Sequence, residues 1–171
     1  MKGYVQVYTG NGKGKTTAAI GLAIRALGAG WRVFFAQFLK GGEYSEHKAL
    51  AKFSDHITIK TYGRNVFIKG KPEDEDVRLA QAAYKEIAEI VATGRYRLVV
   101  LDEANLAVHY GLITVDQILE LTELRAEGVE LVITGRYGHP RLLDRADLVT
   151  EMQEVKHYYK RGIRARVGVE K

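Results

Sequence analysis

Residues 9–17 read Thr-Gly-Asn-Gly-Lys-Gly-Lys-Thr-Thr. Small residues let successive backbone N–H groups point into one concavity, and a helix starting there adds partial positive charge at its N-terminus. In that setting Lys15 supplies a cation and Thr16 a hydroxyl able to ligate a metal, so Thr9, Gly10, Asn11, Gly12, Lys13, Gly14, Lys15, Thr16 and Thr17 together read as a cradle for a triphosphate and Mg²⁺. The strict phosphate-loop pattern opens on glycine where this sequence has Thr9, so the match is a relaxed one. A second anchor is Leu98-Val99-Val100-Leu101-Asp102-Glu103, an apolar run ending in two carboxylates. Hard cations take oxygen ligands, and ligands collect at the carboxyl ends of parallel strands. Thr16, Asp102 and Glu103 are therefore the metal-site candidates, and the sequence leaves open which carboxylate binds directly.

Chemistry of this kind needs a strand before the loop and a helix after it, and the chain provides both. Strand-length apolar segments at Tyr4–Tyr8, Arg32–Phe38, Ile57–Thr61, Arg97–Leu101, Glu130–Thr134 and Leu148–Glu151 alternate with segments of helical period. Several, such as 98–101 and 131–133, are apolar on both faces, as in parallel strands covered from either side. The expected helices are Thr16–Leu27, with Ile20, Ala23, Ile24 and Leu27 inward and Gly28 or Gly30 capping; Ser45–Lys52; Glu73–Thr93, opened by Pro72 and an acidic turn and closed by Gly94; Val115–Ala126; and Pro140–Arg145. A β-α-β rhythm of this kind predicts an α/β fold: a phosphate-loop NTPase-like (RecA-like), doubly wound, mostly parallel sheet with helices on both faces. The whole chain, 1–171, reads as one domain, and Gly63–Lys71 as a functional loop.

The 171 residues are 46% hydrophobic and 27% charged, and no apolar run approaches the length a membrane span requires. Residues 1–4 lack the order of a secretory signal, and the absence of cysteine excludes disulfides and thiolate metal sites, so the expectation is a cytoplasmic protein. Twenty-six basic side chains against 21 acidic ones give a net charge of +5, spread along the chain. The excess favours anionic partners, nucleotides or nucleic acid, without choosing between them, and its spread along the chain shows no dedicated nucleic-acid arm. None of the five histidines shows ligand spacing; His139 reads as a helix cap, and Trp31 as a packing residue.

Taken in order, the loop 9–17, the segment Val33–Gly41, the runs Val99–Glu103 and Val132-Ile133-Thr134-Gly135-Arg136, and Val155-Lys156-His157 followed by Gly162 resemble the ATP:corrinoid adenosyltransferase family of the CobA/CobO/BtuR type. The resemblance spans nearly the whole chain, and Thr9 is itself a family trait. It implies an enzyme in which a corrinoid reduced to Co(I) attacks the 5′ carbon of ATP, forming adenosylcobalamin and releasing tripolyphosphate. The substrate's cobalt is then the nucleophile, and the protein orients and stabilises charge. Carried over to this chain, residues 10–17 hold the phosphates, Lys15 neutralises them, and Thr16 with Asp102 or Glu103 holds Mg²⁺; Arg136, following a strand beside the expected site, is a candidate for another phosphate contact, so that Lys15, Glu103 and Arg136 are the candidate catalytic residues.

The same resemblance assigns the corrinoid to the loop after the third strand, here Tyr62, Gly63, Arg64 and Phe67. This sequence has Arg64-Asn65-Val66 where the family commonly has Phe-Thr-Trp. An electron-donating reductase and a homodimer are further implications; nucleic acid and membrane are not expected partners. Two other classes stay open at this point: a RecA-like ATPase acting on nucleic acid with Glu103 activating water, and a nucleotide-binding regulator without catalysis.

Overall fold

The structure is a computed structural model describing residues 1–42, 44–64 and 70–170. Among these, β1 (Val5–Thr9), β2 (Val33–Phe38), β3 (Ile57–Tyr62), β4 (Leu98–Asp102), β5 (Glu130–Thr134) and β6 (Leu148–Glu151) form one sheet in the order β3-β2-β4-β5-β1-β6. Every neighbouring pair is parallel. Each strand lies within one residue of its sequence expectation. The doubly wound α/β reading holds, and the sheet is wholly rather than mostly parallel.

The helices are α1 (Lys15–Gly28), α2 (Ser45–Leu50), α3 (Asp74–Thr93), α4 (Ala104–His109), α5 (Val115–Leu124) and α6 (Pro140–Arg145), with 3₁₀ turns at Ala51–Phe53 and Tyr158–Arg161. They cover two faces because strand side chains alternate. Phe34, Ala36, Val99 and Leu101 pack with Ala83 and Ile87 of α3 and Ile118 and Leu121 of α5. Val33, Phe35, Val100 and Val132 pack with Ala19, Ala23 and Ala26 of α1. Among the described residues no helix is long and apolar enough to cross a membrane.

Some local expectations need correcting. In α1 the residues fully buried against the sheet are Ala19, Ala23 and Ala26; Ile20 and Leu27 pack half-buried beside them as expected, and only Ile24, 44% exposed, departs from the expected inward face. Small side chains let the helix lie close to the sheet, which hydrophobicity alone does not reveal. Gly28 is the last residue of α1 and not its cap, and Gly30, at φ +76°, makes the turn. Expected helix 45–52 ends at Leu50 and tightens into the 3₁₀ turn, and expected helix 115–126 ends at Leu124 because Arg125 is extended. Helix α4 has no counterpart among the sequence expectations: its N-cap is Glu103 in a left-handed conformation, and no side-chain cap or proline marks its start as Pro140 marks α6. By contrast, α3 starts and stops as expected: Asp76 accepts the Glu73 backbone N–H at 2.9 Å, and Gly94 closes it at φ +65°. Trp31 packs beside the α1 face with the Arg97 guanidinium 4.4 Å over its ring.

Candidate functional site

The phosphate loop leaves the sheet at the end of β1 and is held from behind by the segment after β6. Gly12 N–H donates to Met152 O at 2.6 Å. Gly10, at φ +94°, passes so close that a Cβ would lie 2.4 Å from the same oxygen, so both backbone conformation and space demand glycine there. Gly14, at φ +123°, is the N-cap of α1 and contributes no side-chain cap. The first-turn amides of α1 are thereby left to a ligand, and they attract anions. Lys15 is buried and folds back over the loop, donating to Gly10 O at 2.7 Å and Gly12 O at 2.8 Å. Burial pulls its ammonium below the ordinary lysine range, with Arg136 adding to the pull and Glu103 and Asp102 opposing it. A cation destabilised in this way gains most from a phosphate.

Beneath the loop, the ends of β4 and β5 meet. Asp102 is wholly buried, and its Oδ1 accepts from Thr16 Oγ1 at 2.8 Å and Thr134 Oγ1 at 2.7 Å. Its Oδ2 accepts from Lys40 Nζ at 2.9 Å and Gln37 Nε2 at 3.2 Å. Glu103 follows in a left-handed conformation, φ 60°, with its backbone N–H on Thr134 Oγ1 at 3.1 Å. Such a conformation in a non-glycine residue costs on the order of 1–3 kcal/mol and recurs at functional sites. Among the described residues its carboxylate makes no hydrogen bond or ion pair, and burial followed by Asp102 raises it above the ordinary glutamate value against Lys40, Lys15 and Arg136.

One cleft of about 530 Å³ gathers residues 12–17, Glu103 and Arg136 as expected from the sequence and adds Lys40, Glu46, His157 and the turn Gly168–Glu170, while Asp102, Gln37 and Thr134 lie buried outside its lining. Three loop residues are placed differently from the rest. Thr9 Oγ1 accepts the Gly138 N–H at 3.0 Å and braces the loop after β5. Asn11 lines an adjoining hollow with Arg136, Tyr137 and Glu154. Lys13 donates to Glu170 at 2.7 Å and to Tyr158 Oη at 3.0 Å, so its charge already has a carboxylate partner.

At the end of β3, Tyr62 Oη donates to Glu86 Oε2 at 2.8 Å and its ring packs 6.2 Å from Phe38. Arg64 forks onto Asp76, Nε to Oδ1 at 2.7 Å and Nη2 to Oδ2 at 2.8 Å, with Nη1 on Glu73 at 2.7 Å. Gly63 admits the backbone of the loop after β2, for a Cβ there would meet Leu39 C at 2.5 Å. Phe67, with Asn65 and Val66, lies outside the described residues. His139 caps α6, its Nδ1 accepting Arg141 N–H at 3.2 Å.

Sequence reasoning passed over Gln37, Lys40, Thr134 and Glu170 as individual site residues. Gln37 and Lys40 had a signal: they are the polar interruptions of an otherwise apolar run, Phe34-Phe35-Ala36-Gln37-Phe38-Leu39-Lys40.

A divalent metal is testable against these donors. All four acceptor positions of Asp102 are taken, whereas Glu103 offers an unengaged carboxylate and Thr16, which gives its proton to Asp102, keeps oxygen lone pairs for a cation. Thr16 and Glu103 thus fit a hard cation; Asp102 fits a role behind them.

The family model for ATP:corrinoid adenosyltransferase BtuR/CobO/CobP matches residues 1–170. The chain is 37% identical to a corrinoid adenosyltransferase of Pseudomonas aeruginosa, over 99% of this chain and 84% of that protein. It is 35% identical to one from Sinorhizobium sp, over 99% and 80%, and 31% identical to corrinoid adenosyltransferase CobA of Salmonella typhimurium, over 99% and 86%.

Proposed function

This chain belongs to the ATP:corrinoid adenosyltransferase family BtuR/CobO/CobP, and from that premise we propose that it transfers the 5′-deoxyadenosyl group of ATP to the Co(I) of a reduced corrinoid and releases tripolyphosphate. The observation that carries the reading is the cleft in which Lys15, Thr16, Glu103 and Arg136 surround the phosphate loop. The step balances: the cobalt electron pair forms the Co–C5′ bond, and the C5′–O bond breaks with its pair passing to the triphosphate. Charge therefore develops on the bridging 5′ oxygen and spreads over the leaving group. Fixed donors aimed at developing charge lower such a barrier. Lys15, the free amides opening α1, and Arg136 are the groups assigned to that work. Thr16 and Glu103 are assigned to Mg²⁺, which when bound would add further positive charge to the phosphates.

The corrinoid is assigned to the loop after β3. Tyr62, Gly63 and Arg64 form its base, and Phe67 is the aromatic proposed to cover the ring. In this reading Arg64 acts as the loop's anchor and not as a ligand, because three carboxylate contacts already hold it. The proposal also takes residues 1–171 as one domain acting in the cytoplasm as a homodimer and receiving electrons from a reductase.

The test is an anaerobic assay with ATP, Mg²⁺ and a chemically reduced corrinoid, followed by visible spectrum. Decay of the Co(I) bands into those of an alkylated corrinoid, absent in Lys15→Ala, is the expected result. Persistent Co(I) bands alongside intact ATP refute the assignment, and conversion of ATP to ADP stimulated by DNA would establish the hydrolytic alternative.

A further inference from the structure

Lys40 is a strongly held charge of the cleft that the reading above leaves without a role. Its Nζ stands 2.9 Å from Asp102 Oδ2, 4.0 Å from Glu46 Oε1 and 5.1 Å from the centre of the Tyr44 ring. Its side chain is 17% exposed and that of Asp102 fully buried. The backbone delivering it is strained, since Leu39 adopts φ +62° while carrying a γ-branched side chain. Neighbouring loops hold it there. Leu39 N–H donates to Tyr62 O at 3.3 Å. A Cβ on Gly63 would come within 2.6 Å of Lys40 N, and one on Gly41 within 2.4 Å of Gly63 O. Two loops packed backbone to backbone thus fix where the ammonium sits. A strained residue that its surroundings over-determine is a recurrent mark of function.

The consequence falls on Asp102. A carboxylate has about four acceptor positions, and here hydroxyls from Thr16 and Thr134, the Gln37 amide and the Lys40 ammonium fill them. Burial acts to lower Lys40, but the charge and hydrogen bond of Asp102, helped by Glu46 and Glu103, hold it above the ordinary lysine value. It is an ammonium throughout the working range of pH. A divalent cation could reach Asp102 directly only by expelling that ammonium from a buried pair.

We propose that Lys40 is a positioning residue that serves as the built-in counter-ion of Asp102, so that the divalent metal arriving with a nucleotide is held by Thr16 and Glu103 and kept off Asp102. The proposal rests on the reading of the cleft as a metal–nucleotide site and divides the labour of its two adjacent carboxylates. One orients the Thr16 hydroxyl; the other meets the metal.

Mn²⁺ binding, followed by loss of the free-ion electron paramagnetic resonance signal, tests it without turnover. In Lys40→Met one acceptor position of Asp102 Oδ2 and the negative charge it carries are released, Gln37 keeping the other position, and Mn²⁺ affinity measured without nucleotide rises about tenfold over the unaltered protein, the scale on which supporting residues tune metal affinity. Lys40→Arg restores the cation and returns the affinity to its starting value, which separates a charge effect from disturbed packing. With ATP present, Glu103→Gln weakens Mn²⁺ binding at least about tenfold, and adding Lys40→Met to that variant recovers part of it through Asp102. Equal Mn²⁺ affinity in Lys40→Met and the unaltered protein, with both folded by circular dichroism, overturns the proposal. Failure of the unaltered protein to bind Mn²⁺ even with ATP overturns instead the metal–nucleotide reading beneath it.

Discussion

The ends of β1, β4 and β5 and the end of β3 both carry charged and aromatic residues, but they satisfy them in opposite ways. At the first, Lys15 gives its protons only to neutral loop carbonyls, and Glu103 and Arg136 make no hydrogen bond or ion pair among the described residues while they face one cleft. At the second, Tyr62 and Arg64 are fully engaged by Glu86, Asp76 and Glu73. The difference separates groups kept for a ligand from groups used to build a platform. In the proposed reading the unengaged groups beside the cleft meet the ligand, whereas the bidentate guanidinium on the buried Asp76 holds a loop in place.

The largest expected effect is at the phosphate loop. Lys15→Met removes a preorganised cation and lowers kcat about 10²–10³-fold, with the thermal midpoint little changed, as steady-state kinetics and calorimetry would measure. If instead Arg64→Ala equals that loss while leaving ATP affinity alone, the division between binding and platform residues fails.

The two adjacent carboxylates come next. Asp102→Ala strands Lys40 and two hydroxyls, so denaturant unfolding should show a loss of about 3–5 kcal/mol, the usual cost of breaking a buried pair. Glu103→Gln should change stability by no more than about 0.5 kcal/mol, because no partner is orphaned, and its deficit should appear in metal-dependent ATP binding. Similar stabilities for the two variants would erase the distinction drawn at this strand end.

Arg64→Ala is expected to raise KM for the corrinoid and to leave that for ATP unchanged. It should also alter the acid limb of stability. The Arg64 hydrogen bond, against burial and with help from the Glu73 backbone, holds the Asp76 carboxyl below the usual aspartate range. A depressed folded value means the stabilisation is complete above the unfolded value and drains as pH falls through the folded one. Thermal midpoints from about pH 5 to about pH 2 should therefore fall less steeply in Arg64→Ala than in the parent.

The smallest effect belongs to Lys13. Its partner Glu170, whose carboxyl is held far below the ordinary range first by Arg166 and then by Lys13 and Tyr158, sits where the last described turn meets the loop. Glu170→Gln removes the carboxylate partner of Lys13, which keeps Tyr158 Oη and Val169 O, and tightens ATP binding by no more than about fivefold, since the pair lies at the surface; titration calorimetry would measure it. Weaker binding would instead mark Glu170 as part of the nucleotide's own surroundings.

The strands, the phosphate loop and the Asp102-Glu103 terminus were legible because each rests on a local pattern, an apolar run or a glycine spacing tied to a backbone need. What brings Lys40 onto Asp102 is not local. It depends on the parallel pairing of β2 with β4, which sets Gln37 beside Asp102, and on glycines from two loops passing at contact distance. On α1 one residue departs from the expected inward face for a related reason: Ala23, Ile20 and Leu27 pack on the sheet side while Ile24 is left in solvent, a choice made by helix–sheet spacing rather than by side-chain hydropathy. The different states of Asp102 and Glu103, alike on paper, follow from one residue entering the left-handed region after the strand ends.

The most direct test of the central claim is the phosphorus balance of a single anaerobic turnover with ATP and a Co(I) corrinoid. Phosphorus-31 resonance should show intact tripolyphosphate appearing in a 1:1 ratio with the alkylated corrinoid as ATP disappears, about one equivalent each, as cleavage at the 5′ carbon requires. Orthophosphate and ADP forming while the corrinoid stays unalkylated would contradict it.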